Sequence, residues 1–211
     1  MKNLKFGFTL AEVLITLGVI GIVSAVTLPI IHGNIQKYVL KNQFKKAYSN
    51  FSNVVNQVVM ENGTNFACGL SDGTYKKHDC PIFWENIFKK YKVIKTCNYG
   101  ENNCSPTYKT LDKVLEQGGK ASNKTCSHFS GTTGIAHFLT DGSIIYTTIG
   151  GYQDKVYYAI DVNGTKKPNQ WGYDVFYLNL RIVNNNTLKP NGTNCSMYEK
   201  GGNTFENMFN Y

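Results

Sequence analysis

The sequence predicts an α+β chain. One long N-terminal α-helix, membrane-spanning in its first half, packs by its second half on a C-terminal antiparallel β-sheet domain. Three observations predict this. Across residues 8–31 every residue but Glu12 is apolar, small or a hydroxyl. From there to about residue 61 the apolar residues keep a helical period. Runs of β-branched and aromatic residues with turn residues between them are confined to residues 135–183.

The helix comes first in the chain. Its apolar stretch is long enough to span a bilayer, and Lys2 and Lys5 would hold its start in the cytoplasm. Gly18, Gly21 and Ala25 allow close helix approach. Pro29 is expected to kink the helix or release backbone bonds locally. Beyond it Ile35, Val39, Phe44, Tyr48, Phe51, Val55 and Val58 fall near one face, Lys37, Lys41 and Lys45 line another, and Gly63 is a stop. At 1.5 Å per residue such a helix is roughly 80 Å long.

A short helix is expected over residues 80–92, with Pro81 at its start and Lys89, Lys90 and Lys92 at its rear. Residues 96–131 read as loops with one helical turn at 110–117. Residues 135–149 read as a hairpin, Asp141-Gly142 favouring a tight primed turn. "VYYAIDV" and "DVFYLNLRIV" follow as strands, and the polar tail after Asn184 receives no element. No internal repeat is present.

Composition bounds the function. Charged residues are 17% and apolar residues 42%, which excludes a disordered chain. The net charge of +8 permits binding to nucleic acid or an anionic surface without demanding it. The cysteines are Cys68, Cys80, Cys97, Cys104, Cys126 and Cys195. An even count behind a membrane-targeting segment favours disulfides in an oxidising compartment. Many pairings are open. The reading favoured here joins Cys68 with Cys80 and Cys97 with Cys104 as local loops, leaving Cys126 and Cys195 to tie the tail to the sheet. No C-x-x-C occurs, and Cys126, His128 and His137 lack a fourth zinc ligand at a convincing spacing. No G-x-S-x-G, H-E-x-x-H or P-loop is present, so no catalytic residue is assigned.

Glu12 decides how the N-terminal segment is read. A carboxylate in a span costs about 3 kcal/mol or more. A secretory signal, with "VSA" at 23–25 as its cleavage site, gains nothing from it, and neither does a plain anchor. "KFGFTLAEVLITLGVIGIVSAVTLP" instead resembles the cleavage and methylation segment of type IV prepilins and type II secretion pseudopilins. That resemblance implies cleavage between Gly7 and Phe8, methylation of the new Phe8 amine, and a fixed glutamate at the fifth mature position, here Glu12. Pro29 and the long segment after it also fit the resemblance. The absence of a side chain at Gly7 lets a peptidase hold the backbone closely. A lone amine and a lone carboxylate are each costly in the apolar phase, and pairing between neighbouring subunits would largely cancel the cost.

The implied organisation is a leader at residues 1–7, a transmembrane and assembly helix at 8–35, and a pilin-like globular domain at 36–211 outside the cytoplasm. The implied role is a structural subunit of a type IV pilus or secretion pseudopilus. It would be held in the inner membrane as a single-pass protein before assembly. Its implied partners are copies of itself or sister subunits, the prepilin peptidase and the inner-membrane assembly platform.

The loop "DVNGTKKPNQWGYD" at 161–174 offers Asp161, Asn163 and Asp174 as oxygen donors. Gly172 stands where an EF-hand needs its twelfth-position glutamate, so it is not that motif. The loop resembles a segment before the last strand of pilin-like proteins, and major secretion pseudopilins hold calcium in a comparable loop. Calcium is therefore one reading and plain turn chemistry the other. Two rivals to the structural role are a minor pilin of a DNA-uptake system and a membrane-tethered enzyme. Residues 36–211 hold 20 Lys and Arg against 13 Asp and Glu, which suits the former.

Overall fold

The computed structural model describes residues 7–62, 81–102, 104–123, 134–152, 155–183, 187–193 and 196–210. The chain forms two compact units, Met1–Val39 and Leu40–Tyr211. Helix α1, Leu10–Asn62, contributes to both. It runs through Pro29 without a break, and the proline ring removes one backbone donor there.

Across residues 13–31 every residue of α1 is apolar, small or a hydroxyl. Its two threonines do not spoil this: the Thr16 hydroxyl donates to the Val13 carbonyl at 2.9 Å and the Thr27 hydroxyl to the Val23 carbonyl at 2.9 Å. Both hydroxyls are thus satisfied by the helix itself, as an apolar surrounding requires. Among the described residues α1 is the one helix long and apolar enough to cross a membrane.

In the second unit Leu40, Phe44, Ala47, Phe51, Val55 and Val58 of α1 are buried. Their three- and four-residue spacing makes one stripe. The predicted stripe begins at Ile35 and Val39, but those two side chains are exposed. Helix α2, Pro81–Lys90, buries Phe83, Trp84 and Ile87 beside it. Strand β1, Val93–Asn98, follows. It falls partly within the stretch read as loop, because its mostly exposed side chains carry no alternation. Helix α3, Leu111–Glu116, is the predicted helical turn. Strand β2 is Lys120–Ala121.

The predicted hairpin is β3, Gly134–Leu139, and β4, Ile144–Tyr152. Its turn is not a two-residue primed one. Gly142 takes φ +88° while Asp141 keeps a negative φ, the Gly142 N–H reaches the Leu139 carbonyl, and the Leu139 N–H reaches the Ser143 carbonyl. That is a three-residue loop with glycine in the left-handed region. The two predicted later strands are β5, Lys155–Asp161, and β6, Val175–Val183. The unassigned tail supplies β7, Thr187–Gly192, the two-residue β8, Met197–Tyr198, and a 3-10 turn, Glu206–Met208.

The six-stranded sheet has the order β1-β3-β4-β5-β6-β7, all antiparallel, and β2 pairs with β8 in a separate ribbon. Pro190 in β7 sits on an edge strand, where a missing N–H is tolerated. Alternation along β5 and β6 sends side chains to two separate cores. Tyr158, Ile160, Phe176, Leu178 and Leu180 meet α1 and α2 on one face. Ala159, Val175 and Tyr177 meet Tyr108, Val114 and Trp171 on the other. The sheet is covered on both faces, so its central strands read as nearly continuous apolar runs.

Candidate functional site

Two places carry the residues the sequence singles out. The first is the start of α1. Thr9 precedes the helix and Glu12 is its third residue. The Thr9 N–H and the Thr9 hydroxyl both donate to Glu12 Oε2 at 2.8 Å, and the Glu12 N–H donates back to Thr9 Oγ1 at 3.3 Å. This is a capping box, which satisfies two of the backbone donors a helix start leaves without partners. Thr9 was not singled out above, although the T-x-x-E spacing before an apolar run is its signature. Gly7 and Phe8 lie just ahead, with open space around Gly7 and Phe8 90% exposed. Every large apolar side chain across residues 8–31 is exposed in the single chain. Gly18 and Gly21 also face open space, so neither is used for packing within the chain.

The second place is the loop from the end of β5 to the start of β6. Asp161 and Asp174 are both fully buried, and the Val162 N–H bonds to the Asp174 carbonyl at 2.9 Å. The structure therefore brings these two predicted residues together. Asp161 Oδ1 accepts the Asn163 N–H at 3.1 Å and the Gly164 N–H at 2.7 Å. Its Oδ2 accepts the Tyr108 hydroxyl at 2.7 Å, and that hydroxyl lies 2.6 Å from the Tyr146 hydroxyl. Asp174 Oδ1 accepts the Gln170 N–H and Oδ2 the Asn169 N–H, each at 2.7 Å. Asn163 turns its amide N–H to the Lys167 carbonyl at 3.2 Å, and its Oδ1 has no partner among the described residues.

Burial sets the electrostatics of this loop. It is the larger cause, and the Asp174 charge the second, that pushes the Asp161 carboxyl up to about 8. Burial likewise raises Asp174, partly offset by its backbone donors. Burial raises Tyr108, and the Asp161 charge beside it adds to this. Sequence gave no signal for Tyr108 or Tyr146, since they sit 53 and 15 positions from Asp161 and only the folded sheet unites them.

The loop also seats other segments. Trp171 is fully buried and its indole N–H donates to the Lys109 carbonyl at 3.0 Å. The Glu199 N–H reaches the Trp171 carbonyl and the Asn203 N–H the Gly172 carbonyl, at 2.9 and 2.7 Å. Lys109 and Glu199 form an ion pair alongside. Gly164 takes φ +68°, and a Cβ there would lie 2.2 Å from the Gly142 carbonyl oxygen, so only glycine lets the loop press on the hairpin turn.

The disulfide expected between Cys97 and Cys104 is present, with Cα atoms 5.7 Å apart. Cys68, Cys80, Cys126 and Cys195 lie outside the described residues, as does His128. His137 stacks on Phe88 with ring centroids 3.7 Å apart, and its Nε2 is 3.2 Å from the Thr147 hydroxyl. Burial lowers it to about 4. Among the described residues no three His, Cys, Asp or Glu side chains gather as a metal site.

Residues 2–28 match the family model described as the prokaryotic N-terminal methylation motif. That motif is the prepilin-type signature of type IV pilins and pseudopilins, and the chain carries it. The match covers this N-terminal segment alone and, with the long helix, supports a pilin-like or pseudopilin subunit. No curated protein and no solved structure matches the chain.

Proposed function

We propose that this chain is a prepilin, cleaved between Gly7 and Phe8, N-methylated at Phe8, and assembled into a type IV pilus or a type II secretion pseudopilus. One observation carries the reading. The methylation signature coincides with the start of a helix whose large apolar side chains across residues 8–31 are exposed among the described residues. Lipid covers them before assembly, and sister subunits cover them afterwards. The globular unit, outside the cytoplasm, travels with the helix from the inner membrane into the filament. The prepilin peptidase and the inner-membrane platform are its partners on that route.

Glu12 has two successive roles in this reading. In the single chain its carboxylate caps its own helix through Thr9. Cleavage places a new amine on Phe8, one residue before Thr9. In the filament the carboxylate becomes the counter-charge for an amine of a neighbouring subunit. Pro29, by removing one backbone bond, gives the helix a point of local adjustment as subunits pack.

Mass spectrometry of the natively expressed protein tests the processing. The expected mature chain begins at N-methyl-Phe8. An intact Met1, or a start after Ala25, would end the prepilin reading. A second reading, a minor pilin that binds DNA during uptake, is favoured by the surplus of seven positive charges in residues 36–211. It requires an affinity for DNA that falls steeply with salt. A chain that does not retard duplex DNA even at low ionic strength is a filament subunit without that role.

A further inference from the structure

The pseudopilin resemblance offers calcium between β5 and β6 as one reading, but the residues present do not fit that ion. A calcium site needs six to eight oxygens converging on one point. Here backbone N–H groups, the Tyr108 hydroxyl and the Asn163 side chain converge on the two carboxylates instead. Every carboxylate oxygen of Asp161 and Asp174 already accepts at least one of them. The charge count points the same way. Residues 161–174 hold two aspartates and two lysines, Lys166 and Lys167, and are formally neutral. Calcium affinity is set by the charge of the coordinating ligands, and this loop offers two carboxylates.

We infer that the 161–174 loop closes on its own donors, and that a clasp between Asp161 and Tyr108 does the organising that a cation would otherwise do. The clasp joins three separate segments. Asp161 ends β5, Tyr108 comes from the stretch before α3, and Tyr146, on β4, holds the Tyr108 hydroxyl from behind. Asp174 repeats the device within the loop by gathering the Asn169 and Gln170 amides, which fixes Trp171 beneath the Lys109 carbonyl. Every carboxylate bond is thus made inside the chain, and none depends on an ion. The folded unit, and its supply to a filament, is indifferent to calcium.

The test uses the full-length chain in detergent micelles, unfolded thermally in millimolar calcium and in chelator, with a calorimetric calcium titration of the same sample. The expected result is no binding heat and one melting temperature in both buffers. Tyr108→Phe should lower that temperature by about 3–10 °C, equally in both buffers, since it removes a hydrogen bond to a buried carboxyl group. A true calcium site at a hundredfold excess over its Kd would raise the melting temperature by about 5–10 °C, and Asp161→Asn would remove the rise. That outcome overturns the inference. So does a Tyr108→Phe chain that melts like the native one. If Asp161→Asn does not fold, the titration of the native chain still decides. The filament reading does not depend on the answer.

Discussion

Across residues 8–31 every large apolar side chain is exposed, whereas from residue 40 onward α1 hides Leu40, Phe44, Phe51, Val55 and Val58 completely or nearly so. One helix therefore meets two opposite environments. Its second part has its partner within the chain, in the strands and in α2. Among the described residues its first part buries no large apolar side chain, and in the filament reading lipid or sister subunits would cover it. The polar groups divide in the same way. Among the described residues Glu12 is served by its neighbour Thr9, while Asp161 takes, besides two local amides, a hydroxyl 53 residues away. In the first unit the carboxylate is served locally. In the second, local backbone amides and one distant hydroxyl act together.

The largest effect is expected for Glu12→Ala. In the filament reading, a neighbouring amine then lies in the apolar phase without its counter-charge. An amine left without its counter-charge in an apolar phase is strongly unfavourable, so incorporation should fall steeply. Insertion and cleavage should persist, and Glu12→Asp should be milder. The measurement is the ratio of filament to membrane-held protein in cells. Normal incorporation of the alanine variant would mean that Glu12 serves only as a helix cap.

Paired truncations in α1 probe the same contrast. Phe51 is 1% exposed, with its ring 4.6 Å from that of Tyr158. Phe51→Ala should destabilise the second unit by about 3–5 kcal/mol. Leu17 is 61% exposed. Leu17→Ala should leave the stability of the single chain in detergent unchanged within about 0.5 kcal/mol and should show its effect only in assembly. Chemical denaturation of the two variants separates them, and equal losses of stability would dissolve the distinction between the two parts of α1.

How far the sequence could be read follows the same division. The first unit was legible because its determinants are local: an apolar run, a glycine, and a glutamate at a fixed offset. Even the capping box lay in plain view as Thr9 and Glu12. In the second unit α1, the hairpin, β5 and β6 were legible because periodicity and turn residues mark them. Strand β1 was not, since an exposed edge strand leaves no alternation to detect. Strand β7 was not, because Asn, Gly and Pro dominate it. The residues around Asp161 were half legible. Asp161 and Asp174 stood out as oxygen donors, and their local amides accord with the turn-chemistry reading, but the Tyr108 hydroxyl comes from elsewhere and no sequence spacing reveals it.

A smaller effect is expected at the disulfide. Cys97 and Cys104 close a short loop between the end of β1 and the segment leading to Tyr108. Chain-entropy arguments give such a loop about 2–3 kcal/mol. The double variant Cys97→Ser with Cys104→Ser should lose that much in denaturant. It should still enter the membrane and be cleaved, because the first unit is not involved. A loss of processing in this variant would show that the two units are less independent than the contrast requires.

The smallest effect belongs to His137, which sharpens the picture of the second unit as a closed interior. Its imidazole stacks on Phe88 and meets the Thr147 hydroxyl. Burial holds its pKa at about 4, below the ordinary 6.5. The sign follows from linkage. The unfolded chain takes up a proton as the pH falls below about 6.5, and the folded chain resists doing so until about 4. Stability therefore falls as the pH drops through that window and levels off below it. His137→Phe keeps a ring against Phe88 and removes the titration. Its unfolding midpoint should change less than that of the native chain between pH 6.5 and pH 4. The carboxylates titrate in both proteins, so they cancel in the difference. Parallel pH profiles for the two would show that the imidazole is hydrated in the fold, and that the face of the sheet against α2 is more open than its packing indicates.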